Sequence, residues 1–131
     1  GRFNRHPDYL DRNVEEICIL PQIESVRGWE NLDAITNTPG VGAVFLGPID
    51  LAVDMGHGIN IFHPEVEAAM DDMIKRIHAL GKPVGTIALT TAQAKRFVDL
   101  GVSFLALGGD TGFLTTAADN TLNTYKKFIQ K

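Results

Sequence analysis

Four short apolar runs divide the chain, at residues 17–23, 41–46, 84–88 and 103–107, and each is followed by a stretch that reads as a helix. Continuous apolar character over so few residues suits parallel strands covered on both faces better than half-exposed ones. Val26, Trp29, Leu32 and Ile35 recur at helical spacing and define one face of an amphipathic helix over 25–36, closed by Pro39-Gly40. Gly47-Pro48 turns the second run directly into a helical segment over 49–55, because proline fits a helix's first turn. His63-Pro64 opens a long helix whose inward positions are Val66, Ala69, Met70, Met73, Ile74 and Ile77, stopped by Gly81 and Pro83. Thr90-Thr91-Ala92-Gln93 resembles a capping box for a helix that ends near Leu100-Gly101, and a final helix is expected over 120–129. Ahead of the first run, Pro7-Asp8 offers a helix start for 9–14 within a lead-in segment, 1–14.

Strand followed by helix, four times over, predicts parallel β/α units joined by right-handed crossovers. Such units build either a small open sheet or part of a barrel, and the pattern alone leaves both open. A full (β/α)8 barrel takes ~250 residues, so four units over 15–131 amount to half of one.

Composition limits the function classes. With 131 residues, 44% hydrophobic and 21% charged, the chain has the profile of a soluble globular α/β protein. Its formal charge of −4, with 12 scattered Lys and Arg, provides no basic field for nucleic acid. No apolar stretch approaches the ~20 residues needed to span a bilayer, and the first residues lack the apolar core of a signal peptide, so a cytoplasmic location is expected. The single cysteine, Cys18, falls inside the first apolar run, where a buried, inert thiol is expected.

In both open α/β sheets and barrels, functional groups gather at the carboxyl ends of the strands. Gln22 and Glu24 end the first run, Asp50 follows the second, Thr86 lies in the third and Asp110 follows the fourth. Gln22 and Glu24 stand two apart on a strand and therefore project to one face. Ser25 is a better cap for the next helix than Glu24, which leaves that carboxylate free for another role. Two carboxylates on neighbouring strand ends, without histidine, suit a hard cation such as Mg²⁺ or Mn²⁺, although a pair of unrelated surface acids has the same spacing. In Gly47-Pro48-Ile49-Asp50 the free amides of Ile49 and Asp50 would point out of a helix N-terminus and could hold a small carboxylate beside the metal, unless the turn is an ordinary helix start.

None of Lys75, Lys82, Lys95, Lys126, Lys127 or Lys131 falls at a predicted carboxyl end, which argues for metal chemistry over an imine. His57, His63 and His78 lie in a Gly-rich loop, at a helix start and on a helix, where structural or solvated roles are the commoner case. Gly108-Gly109-Asp110 reads as a turn.

The combination Pro21-Gln22-Ile23-Glu24-Ser25, Gly47-Pro48-Ile49-Asp50-Leu51, His63-Pro64-Glu65-Val66, Gly81-Lys82-Pro83-Val84-Gly85 and Leu107-Gly108-Gly109-Asp110 resembles the HpcH/HpaI family of class II pyruvate aldolases over nearly the whole chain, including the lead-in from Asn4 to Leu10. The resemblance implies a (β/α)8 TIM barrel in a homo-oligomer, a hexamer, that cleaves 4-hydroxy-2-oxo acids to pyruvate and an aldehyde, with this chain as the last four units. It further implies Glu24 and Asp50 as ligands of Mg²⁺, Mn²⁺ or Co²⁺, and Gln22, Gly47, Ile49, Asp50 and Ile87 as substrate-binding residues. The family's catalytic histidine and arginine belong to earlier strands, so no catalytic base is assigned in this chain. A related lyase acting on citramalyl or malyl thioesters, and a non-catalytic structural half-barrel, are the alternatives.

Overall fold

The structure is a computed structural model that describes Arg5 and residues 8–129, so Asn4, His6, Pro7 and Lys131 lie outside the described residues. The elements run α1 (Tyr9–Glu16), β1 (Gln22–Ile23), α2 (Val26–Glu30), α3 (Leu32–Thr36), β2 (Val44–Leu46), α4 (Pro48–Asp54), α5 (Pro64–Ala79), β3 (Val84–Ile87), α6 (Thr91–Asp99), β4 (Phe104–Ala106) and α7 (Asp110–Ile129). All pairings are parallel and the strand order is β1-β2-β3-β4. Each strand therefore lies beside its predecessor with no reversal, which is the order of a barrel sector; a doubly wound open sheet has a switch point where the order turns back.

The two faces of this sheet differ. Ile23, Val44, Leu46, Val84 and Thr86 face the helices and are buried, and the core they enter is filled by Leu32, Met70, Met73, Ile74, Ile77 and Phe97 from α3, α5 and α6. All six inward positions expected on α5 are buried, and the helix is stopped where Gly81, at φ 72°, lets the Lys82 amide reach back to the Ile77 carbonyl at 3.2 Å. On the other face the register lines up Gln22, Phe45, Gly85 and Phe104 in one row across all four strands. Nothing among the described residues covers this row fully: Phe104 is 57% exposed and Phe45 half-buried. Gly85 lets the two rings approach across β3 with centroids 5.9 Å apart.

Outside the sheet, Arg76 of α5 gathers α2 and α3. Its guanidinium donates to Asp33 at 2.8 Å and Asp72 at 3.3 Å, and the Trp29 indole donates to Asp72 at 2.7 Å. The hydrogen bond to Asp33 raises the Arg76 pKa above its ordinary value, against the opposing pull of burial.

Four expectations are corrected. The first strand is not 17–23 but Gln22–Ile23, preceded by an isolated bridge from Ile19 to Val41; Pro21 has no amide to extend the ladder. Ile17, Ile19 and Leu20 are exposed, and so is Cys18, which is therefore not the buried thiol expected. The helix over 25–36 is two helices, broken at Asn31, whose side chain donates to the Arg27 carbonyl at 2.8 Å and competes with continuation. The last helix begins at Asp110 instead of residue 120. No helix among the described residues is long and apolar enough to cross a membrane.

Replacing Gly85 tests the ring row. A Cβ there would stand 2.9 Å from Phe45 Cδ2 and 3.0 Å from the Phe104 carbonyl oxygen, which cannot swing aside. Gly85→Ala is expected to lower stability by about 1–3 kcal/mol in urea unfolding. A loss of less than ~0.5 kcal/mol would show that the sheet relaxes there at little cost.

Candidate functional site

The carboxyl edge of the sheet is shaped by one tight approach. Glu24 follows β1 directly and Gly47 follows β2; the Gly47 amide donates to the Ile23 carbonyl at 2.9 Å, which holds the two strand ends together. A Cβ on Gly47 would lie 2.8 Å from Gln22 Nε2, 2.8 Å from Glu24 Cβ and 2.9 Å from Glu24 Oε2. The absence of a side chain at this position is what allows Gln22 and Glu24 to lie over the turn.

Gln22 Nε2 donates to Glu24 Oε2 at 2.6 Å, so the two side chains share one face, as the strand spacing predicts. Gln22 is exposed and Glu24 half-buried. Pro48 supplies the first residue of α4, and Gly47 provides no side-chain cap, so the amides of Ile49 and Asp50 have no cap partner. Asp50 is exposed, and among the described residues its carboxylate enters no hydrogen bond or ion pair.

One turn further along α4, Asp54 Oδ2 accepts from the Val26 amide at 2.7 Å. Asp50 and Asp54 are four apart and so share a face of α4. The Asp54 bond turns that face toward the start of α2, where Glu24 and Ser25 stand.

Gln22, Phe45, Gly47, Pro48, Ile49, Asp50 and Ile87 line a cleft of about 200 Å³. Five of the expected site residues, Gln22, Gly47, Ile49, Asp50 and Ile87, thus meet in one place; Glu24 does not line the cleft but packs on Gly47, which does. Thr86 is not part of it: its hydroxyl donates to the Leu46 carbonyl at 2.9 Å on the helix-covered face. Lys82, near the amino end of β3, donates to the Val41 carbonyl at 2.7 Å, away from the cleft. Sequence reasoning missed Phe45, whose place in an apolar run reads as core, and Asp54, whose tie to Val26 spans 28 residues. It also did not foresee that His57, His63 and Glu65 would come together.

Residues 2–117 match the family described as HpcH/HpaI aldolase/citrate lyase. A 4-hydroxy-2-oxo-heptane-1,7-dioate aldolase of Klebsiella pneumoniae is 44% identical over 91% of this chain and 45% of its own length. A hydroxypyruvate/pyruvate aldolase of Pseudomonas aeruginosa is 41% identical over 96% of this chain and 47% of its own. The crystal structure of an HpcH/HpaI aldolase/citrate lyase family protein from Burkholderia cenocepacia superimposes with a TM-score of 0.85 at 33% identity, covering 95% of this chain and 49% of that one. The chain spans about half the length of these relatives. With a match over so much of its sequence and a parallel sheet in barrel order, the chain belongs to the HpcH/HpaI aldolase/citrate lyase family and has the α/β fold of its TIM barrels.

Proposed function

We propose that this chain carries the cation- and oxo-acid-binding part of a metal-dependent aldolase that cleaves 4-hydroxy-2-oxo acids to pyruvate and an aldehyde and catalyses the reverse addition. The observation that carries this reading is the cleft at the strand ends, where Glu24 is pressed on Gly47 and Asp50 stands without a partner among the described residues. The aldolase names of relatives 41–44% identical support the same reaction class.

The donor set fits a hard divalent cation, Mg²⁺, Mn²⁺ or Co²⁺: the Asp50 carboxylate and the Gln22 amide line the cleft, the Glu24 carboxylate packs on Gly47 beside it, and among the described residues no thiol or imidazole lines it. Glu24 and Asp50 would hold it. When bound, the cation supplies Lewis-acid polarisation of a 2-oxo group. Gln22 fixes the Glu24 carboxylate through its 2.6 Å hydrogen bond and thereby sets which oxygen faces the cleft. The Ile49 and Asp50 amides receive the substrate carboxylate, and Gly47 leaves the space that the oxo acid enters. Ile87, together with Phe45, forms the apolar wall that meets the aldehyde portion.

Cleavage also requires a group to take the proton of the C4 hydroxyl. Among the described residues no histidine or lysine lines the cleft. We therefore assign the base, and the arginine that would steady the oxo oxygen, to β/α units beyond these four, in a barrel of which this chain is the C-terminal half. Exposed Phe113, Leu114, Leu122, Tyr125 and Phe128 on α7 support a homo-oligomer in which that helix is covered.

Glu24→Gln or Asp50→Asn should abolish saturable Mn²⁺ binding in calorimetric titration, since each removes one of two charged ligands. Unchanged binding in both would sink the metal assignment. Gly47→Ala, whose Cβ displaces Glu24 and Gln22, should weaken Mn²⁺ by about tenfold or more. Unaltered affinity there would mean that Glu24 need not sit on the turn to bind metal. In a pyruvate-release assay with excess Mn²⁺, the 131-residue chain alone should show negligible turnover, and addition of an N-terminal half carrying the other strands should restore it. Robust turnover by the chain alone would place the base among its own residues, with His57 the first to mutate.

A further inference from the structure

A second cluster of metal-ligating side chains lies on the loop between α4 and α5, and none of its members lines the cleft. Gly56, at φ 84°, reverses the chain after α4, so that its amide donates to Val53 and the His57 amide donates to the Ala52 carbonyl at 2.8 Å. The loop then folds back on itself: Asn60 donates to the His57 carbonyl at 3.3 Å, and the His63 amide donates to the Asn60 carbonyl at 3.1 Å. These bonds bring two histidines six positions apart face to face, with ring centroids at 3.6 Å and planes 14° apart. Glu65, in the first turn of α5, places Oε2 2.8 Å from His57 Nε2. One donor atom from each of the three residues lies within 4.8 Å of the other two.

We propose that His57, His63 and Glu65 form a cation site for a borderline transition ion, Zn²⁺, Co²⁺ or Ni²⁺, distinct in its ligands and its chemistry from the Glu24 and Asp50 pair. Two imidazoles and one carboxylate make an N₂O set, which these ions favour and Mg²⁺ does not. Three protein ligands leave a further position for water or a small anion. The contact between His57 Nε2 and Glu65 Oε2 marks where the ion enters: with the imidazole proton on Nδ1, Nε2 and the carboxylate oxygen are both lone-pair donors, and a small widening of their 2.8 Å separation admits an ion at ligand distances of about 2.0–2.2 Å.

Near-parallel rings cannot both direct an in-plane lone pair at one ion, so binding opens the stack by side-chain rotation. The side chains allow this movement. Glu65 is 69% exposed, and the bond from its amide to His63 Nδ1, at 3.3 Å, is long. His63 is also a poor choice if capping α5 were its only task, since Ser, Thr, Asp or Asn serve better at that position. A cation beside a helix N-terminus opposes the helix dipole, and Glu65 and Glu67 in the first turn offset this. The bound ion would fasten the loop to α5 and hold the end of α4, the helix whose first turn carries Asp50.

The test is a Zn²⁺ titration of the full chain in excess Mg²⁺, with Co²⁺ in parallel to read visible d–d absorption. One tightly held Zn²⁺ per chain is expected, in the parent and equally in a Glu24→Gln/Asp50→Asn double variant. His57→Gln, Glu65→Gln and His63→Asn, the last of which keeps a capping side chain, should each weaken Zn²⁺ by about tenfold or more and change the Co²⁺ spectrum, with far-ultraviolet circular dichroism unchanged. Zinc binding that survives all three substitutions, or that vanishes only in the Glu24/Asp50 double variant, would overturn the proposal. So would a parent chain that holds no Zn²⁺ in excess Mg²⁺. Because the double variant leaves this cluster intact, failure here and failure of the aldolase reading give different results.

Discussion

The carboxyl edge of the sheet is organised around a position that tolerates no side chain. At Gly47 the chain leaves β2, passes under Gln22 and Glu24, and enters α4 within two residues. Three consequences follow from that approach. Glu24 is held by the backbone beneath it as well as by its 2.6 Å bond from Gln22. The α4 amides open onto the same space, because Gly47 brings no capping side chain. Asp50 is carried to the neighbouring strand end by a helix that Asp54 ties to Val26. The cleft is thus a product of parallel register: residues at equivalent heights on β1 and β2 meet because the strands are paired one to one.

Parallel pairing also explains the contrast between the faces. Helices α3, α5 and α6 cover one side of the sheet, and there the core is closed by Leu32, Met73, Ile74, Ile77 and Phe97. The opposite face keeps Phe45 and Phe104 in partial contact with solvent, their rings meeting over Gly85. In a complete barrel of this family's fold, that face is the interior, filled by side chains from all the strands. Its apolar row is the surface on which such an interior is built.

Much of this was legible in the sequence, because the signals were local. The period of α5, the Gly-Pro start of α4 and the Thr90 cap, which accepts from the Gln93 amide at 3.2 Å, each depend on residues within a few positions of one another. Gln22 and Glu24 share a face because strand geometry leaves no alternative. What escaped depends on distance or on what lies outside these units. An apolar run such as Ile17-Cys18-Ile19-Leu20 looks the same whether it is buried or exposed, and here it is exposed. The first half of α7 carries Asp110, Thr111, Gly112, Thr115, Thr116 and Asp119, residues of weak intrinsic helix preference, so its onset at Asp110 has no local signal in the sequence. His57 and His63 each look ordinary in sequence, because a stack made by loop closure has no spacing signature.

The order of the strands has a consequence for how the protein is made. β2 pairs with β1, β3 with β2 and β4 with β3, so each new strand finds its partner already synthesised and one unit behind it. Contacts of this kind close only moderate loops, and a chain emerging from the ribosome can extend the sheet one strand at a time. At every stage the growing edge is the strand most recently released. For as long as that edge is unpaired it presents apolar side chains and free backbone groups to other nascent chains, so the pace of translation, as much as the final packing, governs how long this sheet remains at risk of joining the wrong partner.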